Sequence, residues 1–557
     1  MTSSTPPPTL PQHIETLTRR YSTTLAVSTS NASNTTPGIS PPVQLRQIHV
    51  FQILVGQMFD PIRRVLVTNQ VITIDREAGI ILDVSPRHLA ERIVDDIRLI
   101  AFGDEKNSVE VDFEVTTLDM GGITVLPGLV DVHVHREWLS RIVHVFDTSF
   151  DVVFLHPYSE TPWEDQVNKE SLTERTVRAT VHARKTLLAG FTTVRDLGTE
   201  GAFDADIGLR KCLSEKSPII PGPRYYCVTR AIIASGSYGP RSLLYPAQQG
   251  VDGVNGAEPV DGIDNCIKEV RKQVGAGADW IKIYADYSCR ARMADVSSST
   301  ATESIATFNK DELAAMINTA HARGVKVCAH ANTAGAINTL LDLGVDSIEH
   351  GVGLYDHPSG DNTLLRKFTK ANGATTWVPT LAALYTLYAT NGGSEFARKR
   401  WEAGQATFTA TLRAGMENIA CGGDTGVFTH GANALELVLM RSLGAGWAQV
   451  LSWATYGGWK CVRGMDWEGP GGERRMQALE IGLAGLLGKC HNPAYNKGEL
   501  ERGVPFGAIR AGWAADLVGV VGTLDGSIED FEKALTTGVS FVMKGGKIYK
   551  QGSQEVV

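Results

Sequence analysis

Cysteine is scarce in this chain: there are eight among 557 residues, and no two are spaced Cys-x-x-Cys. That excludes a disulfide-stapled scaffold and the cysteine-based zinc modules. The expectation is reduced, mostly buried thiols in an intracellular protein. Long apolar runs are missing too. No stretch approaches the roughly 18 residues a membrane span needs, so no membrane association is expected. Positive charge is in deficit, with 53 Lys and Arg against 61 Asp and Glu and a formal net charge of −8. That argues against a nucleic-acid partner of the basic-patch kind. The chain is 43% hydrophobic, 20% charged and 7% aromatic, which excludes a wholly disordered protein. At about 100–200 residues per domain, its length allows two or three domains, or one large barrel with an accessory domain.

Residues 1–42 hold 24 Ser, Thr or Pro and only three charged side chains, Glu15, Arg19 and Arg20. Residues 1–45 therefore read as a disordered tail. The near-absence of acids leaves an organelle transit peptide open, against a cytoplasmic placement.

From about residue 47 the texture changes. IHVFQILVG (48–56), RRVLVTNQVITID (63–75) and GIILDV (79–84) read as strands of a small antiparallel sheet. The same texture returns at AADLVGVVG (514–522) and VSFVMKGGKIYK (539–550). One β-domain built from residues 46–124 and 503–557 is expected, as a small β-sandwich, with the middle inserted into it. The middle alternates helix and strand. Ser171 and Glu174 form a capping box, and Gly190 ends the helix they open. Asn309 caps another, which Gly324 ends, and Gly344 stops a third. Apolar strands follow: FTTVRD (191–196), DWIKIYAD (279–286), VKVCAH (325–330) and VDSIEH (345–350). Repeated units of this kind mean a parallel sheet with helical crossovers, so residues 125–502 read as an α/β fold, a (β/α)8 TIM-type barrel.

His133 and His135 lie in PGLVDVHVH (127–135), and residues two apart on a strand share a face. His330 and His350 end predicted strands. Asp424 follows NIACGGD (418–424), and Lys282 sits inside an apolar strand, where a charge is costly unless paired or modified. All are expected at the C-terminal face of the barrel, where such folds build active sites. Imidazole and carboxylate suit zinc, and two metals sharing a bridge need about this many donors.

These motifs, with GFTTVRDLG (190–198), GGDTG (422–426), HGANALELVLM (430–440) and GAIRAGWAADLV (507–518) in order, resemble the metal-dependent amidohydrolase superfamily. The branch is that of imidazolonepropionase-like enzymes, Xaa-Pro dipeptidases and fungal ochratoxinase. The resemblance covers about residues 47–557. It implies that His133 and His135 bind one Zn2+ and that His330 and His350 bind a second. Lys282 would be carboxylated and bridge the two ions. Asp424 would contact the first metal and move the proton between a metal-bridging hydroxide and the leaving nitrogen. A homo-oligomer is also implied.

The expected substrate is a small peptide-like or N-acyl amino acid amide. A cyclic imidazolone-type amide or an ester or lactone remains open. A non-catalytic barrel scaffold is the reading from another class, and six filled ligand positions argue against it. Tyr238 stands in IIASGSYGPR (232–241) where relatives often carry His. It reads either as a substrate contact or as part of a Gly-rich turn. His430 is either a substrate contact or a helix-cap residue, and residues 286–304 are either a polar lid or a plain surface loop. Residues 460–503 read as an insertion with a Gly/Pro turn and an amphipathic helix. Together with Trp447, Trp453, Trp459 and Trp467, it is expected to pack, or else to cover the barrel or build a subunit contact.

Overall fold

The β-branched runs near the N-terminus pair as their alternation predicts. The computed structural model describes residues 15–23, 46–102, 111–134, 165–166, 169–214, 218–238, 257–288, 303–356, 359–370, 374–390, 394–479, 481–490 and 503–556. Strand β1 spans Glu15–Thr23, β2 Arg46–Asp60, β3 Val65–Asp75, β4 Ile80–Pro86 and β5 Val111–Pro127. Strands β2, β3 and β4 pair antiparallel in sequence, but β2 and β5 are parallel. The expectation of a purely antiparallel sheet is therefore corrected. The helix Ala90–Phe102 carries the chain back across the sheet, and such a crossover is what a parallel pair needs. The disordered-tail reading of residues 1–45 is corrected over part of its length. Residues Glu15–Thr23 pair antiparallel with β5, Glu15 opposite Asp119 and Thr23 opposite Val111. An open edge of β5 offers a row of backbone donors and acceptors, and β1 takes them up.

The middle of the chain builds a TIM-barrel-like α/β fold. Strands β6 (Leu129–Val134), β7 (Phe191–Asp196) and β8 (Arg224–Cys227) form a parallel three-stranded sheet. Strands β9 (Ile232–Ile233), β10 (Glu258–Pro259) and β11 (Trp280–Tyr284) belong to a second, six-stranded parallel sheet. After the short antiparallel pair β12 (Asp286–Tyr287) and β13 (Ile305–Ala306), that sheet continues with β14 (Lys326–Ala331), β15 (Ser347–His350) and β16 (Thr376–Val378). Its order is β10-β9-β11-β14-β15-β16. The two sheets do not merge into one closed ladder. Residues 418–425 join them on one side: Ala420 N donates to Trp377 O (3.1 Å) and Val132 N to Cys421 O (3.0 Å). Asp279 N donates to Cys227 O (2.8 Å) on the other.

Local signals set the helix ends. Ser171 and Glu174 form the capping box of the helix Leu172–Leu188, and Asn309 and Glu312 form that of Lys310–His321. Helix Ala334–Leu343 stops at Gly344, whose φ of +74° suits glycine.

The C-terminal strands return to the first sheet. Strand β17 (Leu517–Val520) pairs antiparallel with the end of β5, Val518 opposite Leu126, and β18 (Val539–Lys544), β19 (Lys547–Gln551) and β20 (Gln554–Glu555) follow outward. Both ends of the chain thus share one mixed nine-stranded sheet. Between residues 460 and 503 the described residues include the helices Gly469–Gln477 and Leu483–Cys490. Leu486 and Leu487 pack with Ile48, Val50, Ile97 and Phe113, so this segment covers the sheet built by the N-terminal strands. Trp453, Trp459 and Trp467 are buried, and the Trp447 ring lies 5.7 Å from that of Phe59. Most of the 286–304 stretch lies outside the described residues. Among the described cysteines, Cys227, Cys266, Cys328, Cys421 and Cys461 are free and buried, as expected. No helix among the described residues is long and apolar enough to cross a membrane.

Candidate metal centre

Parallel strands deliver polar side chains to one end of the barrel through their last residues. His133 precedes the end of β6, Lys282 lies in β11, His330 is next to last in β14, and His350 ends β15. Register keeps them close: Tyr284 pairs with His330, and Ala331 with His350. Donor atoms of His133, His350 and Asp424 all lie within 4.8 Å of one another, and all three side chains are buried. His133 Nε2 is 3.5 Å from Asp424 Oδ1. The His330 ring stands edge-on to that of His350 at 4.7 Å. His135 lies outside the described residues.

Two of the three donors depend on unusual backbone. His350 has φ +66° and Asp424 has φ +59°, a region that non-glycine residues rarely occupy. Glu349 already faces the interior, so strict alternation would turn His350 outward. The left-handed turn at the strand end brings it back toward His133. Strain of this kind persists where neighbours over-determine the position. His350 Nδ1 is held 2.7 Å from Thr380 Oγ1, and Asp424 N donates to His133 O at 2.8 Å. A third irregularity sits at His133 itself. Val130 and Val132 pack with Trp280 and Cys328, whereas Val134 packs with Ala179 and Ala183 of the helix layer. The pairing of β6 with β7 shifts between Asp131 and Val134. Such a shift re-aims the side chains it spans.

Carboxylates flank His133 on both sides. Glu349 Oε2 lies 2.6 Å from His133 Nδ1, and Arg195 Nη2 donates to Glu349 Oε1 at 2.8 Å, all fully buried. Asp131 accepts from His133 N (3.1 Å), Gly423 N (3.3 Å), Thr425 Oγ1 (3.1 Å) and Asn433 Nδ2 (2.8 Å). It thereby ties β6 to the loop that carries Asp424. Burial pushes the Asp131 carboxyl up to about 6, against the pull of those hydrogen bonds. The His350 imidazole is held well below its ordinary value, by burial first and then by the charges of His133 and Lys282. That keeps it in the neutral form a metal binds.

Lys282 is the most telling side chain. It is 0% exposed, and its Nζ finds no hydrogen-bond partner among the described residues. Its Nζ lies 5.5 Å from the centroid of the Tyr284 ring. A buried ammonium in that state is costly, whereas a carboxylated lysine would be an anionic ligand. The donor set of imidazoles, one carboxylate and this lysine therefore fits divalent metal.

The remaining expected residues divide. Tyr238 is buried, donates to Glu200 Oε2 at 2.5 Å, and packs against Tyr284 and Tyr287. Tyr284 in turn stacks on His330 at 4.8 Å, so Tyr238 belongs to an aromatic wall beside the donors. His430 turns to the helix layer: its ring stacks on His182 at 5.2 Å, and Nδ1 lies 3.2 Å from Thr186 Oγ1. Its place within a predicted helix would leave His182 an ordinary surface residue, but it is buried under this stack. Glu349, Arg195, Asp131 and Asn433 are absent from the sequence-based set. The signal that marked Lys282, a charge within an apolar strand, was equally present for Asp131, Arg195 and Glu349.

A stretch of 188 residues, 31% of this chain, is 30% identical to uncharacterized proteins of Mycobacterium bovis and Mycobacterium tuberculosis. The match spans 45% of the length of those curated relatives. Among solved structures, a Xaa-Pro dipeptidase with bound methionine superposes with a TM-score of 0.61 at 24% identity, covering 90% of this chain and 100% of that one. Ochratoxinase of A. niger gives 0.61 at 19% identity, over 91% of this chain and 97% of that one. Molinate hydrolase gives 0.60 at 15% identity, over 90% and 94%. These likenesses show a shared fold. The family model described as "Amidohydrolase family" matches residues 124–465, more than half of the chain. The chain therefore belongs to the amidohydrolase family.

Proposed function

We propose that this protein hydrolyses an amide bond in a small peptide-like or N-acyl amino acid substrate, with two Zn2+ per chain. The observation that carries the reading is Lys282, buried without a hydrogen-bond partner among the described residues and close enough to His350 to depress its basicity. A carboxylated Nζ would be an anionic donor in place of a costly cation. His133 and His135, with Asp424, would hold one metal, and His330 and His350 would hold the other. When bound, such metals activate water near neutral pH and polarise the scissile carbonyl.

The chain's own residues then have defined tasks. Asp424 accepts the proton of the attacking water and delivers it to the leaving nitrogen. Its loop cannot drift, because Asp131 holds Gly423 and Thr425 and the Asp424 amide is bonded to His133. Tyr238, Tyr284 and Tyr287 offer ring faces and edges beside His330, which suits an aromatic or ring-bearing substrate group.

An activity panel tests this directly. The zinc-loaded protein would be screened against Xaa-Pro dipeptides, N-acyl aromatic amino acids including ochratoxin, and imidazolonepropionate. Release of a free amine from at least one linear amide is expected, and Asp424→Asn should abolish it while metal stays bound. Turnover of the cyclic substrate alone would overturn the linear-amide reading. Near-normal activity of Asp424→Asn would remove the proton-transfer role.

A further inference from the structure

The interior of the barrel just below the metal ligands holds a chain of contacts that reaches across four strands. Glu349 Oε2 sits 2.6 Å from His133 Nδ1. Its other oxygen, Oε1, accepts from Arg195 Nη2 at 2.8 Å and from the Ser347 hydroxyl. Arg195 is fixed in turn. Its Nε donates to Val132 O at 2.6 Å, on the same strand as His133, and its Nη1 donates to Ser347 Oγ at 3.0 Å. Its guanidinium also lies over the Trp280 ring, 4.5 Å from the centroid, at the start of the strand that carries Lys282. Arg195, Glu349 and His133 have no exposed side-chain surface.

We infer that Glu349, locked by Arg195, is the positioning residue that sets the tautomer of His133 and holds its Nε2 as the metal-binding atom. This rests on the metal reading of the site given above. A carboxylate oxygen only accepts, so His133 Nδ1 carries the hydrogen and Nε2 keeps the lone pair. Nε2 is also the atom turned toward Asp424, 3.5 Å away. Metal-binding histidines use such partners to fix ring orientation and raise ligand basicity. Arg195 adds direction. It can only donate, so it commits Oε1 and leaves Oε2 to the histidine. Because Arg195 also bonds the Val132 carbonyl, it ties Glu349 to the backbone one residue before His133.

A single substitution separates this role from mere packing. In Glu349→Gln, the amide oxygen must face Arg195, because Arg195 has no acceptor. The amide NH2 then points at His133 Nδ1 and demands a lone pair there. The hydrogen moves to Nε2, and the metal-binding atom is lost. Zinc affinity, read by competition with a chromogenic chelator, should fall by about 10- to 100-fold. Thermal unfolding of the metal-free protein reports separately on the fold. Because Glu349→Gln leaves Arg195 buried opposite a neutral group, the double variant Arg195→Met/Glu349→Gln is the companion. It removes both charges and frees the introduced amide to turn its oxygen toward His133 Nδ1, so its zinc affinity should recover part of the loss. Wild-type affinity in the folded Glu349→Gln protein, or no recovery in the folded double variant, would overturn the inference. A wild-type protein that binds no zinc would instead overturn the metal reading on which it rests.

Discussion

Asp131 and Lys282 are both charged residues within apolar strands, yet they are treated in opposite ways. Asp131 meets four donors, from His133, Gly423, Thr425 and Asn433. Lys282 meets none among the described residues. The first pattern is that of a structural clamp, the second that of a side chain awaiting a partner. Truncating the clamp leaves several buried donors unsatisfied, each costing about 1–3 kcal/mol. Asp131→Ala should therefore lower the unfolding free energy by at least that amount in a chemical denaturation experiment, and it should also weaken metal binding. An unchanged denaturation midpoint would show that water replaces the carboxylate without loss.

At the scale of the element, the strand ends decide which residues meet. The cap residues Ser171, Asn309 and Gly344 were readable because capping is local. Lys282 within β11, and His330 and His350 at the ends of β14 and β15, were readable from apolar runs ending in polar residues. Other features were not. Glu349 and Arg195 are 154 residues apart, and nothing local links them. The inward turn of His350 comes from a left-handed φ on the histidine itself, and only the following Gly351, also left-handed at φ +62°, hints at it. The pairing of Glu15–Thr23 with β5 depends on an edge left open elsewhere in the sheet. The close approach of two strands did leave a trace, at Gly422. A Cβ there would lie 2.6 Å from His133 Cβ and from Val378 Cγ1. Overpacking of this kind costs about 1–3 kcal/mol, and here the neighbour that must move is a metal ligand. Gly422→Ala should thus lose far more zinc affinity than a surface Gly→Ala change, as measured by chelator competition. Equal effects would mean that the strand pair relaxes freely.

For the whole molecule, buried carboxyls within the barrel link stability to pH. Asp196, at the end of β7, is raised to about 8, by burial first and then by the charge of Asp206. Asp206 is itself raised to about 7 by burial. An unfolded aspartate titrates near about 3.9, so the folded chain keeps protons that the unfolded chain has released. This contribution is fully present below about pH 4 and is lost as pH rises through the folded values of about 7–8. The unfolding temperature should drop between about pH 4 and pH 8, and Asp196→Asn should flatten that drop. A rise over the same range, unchanged in the variant, would contradict the assignment.

The metal content of the purified chain tests the binuclear centre most directly. Zinc per chain, measured by elemental analysis after loading in bicarbonate buffer, should approach two in the wild-type protein and fall clearly below two in Lys282→Ala. A wild-type value clearly under two, or a Lys282→Ala protein that holds as much zinc as the wild type, would contradict a binuclear centre bridged by Lys282.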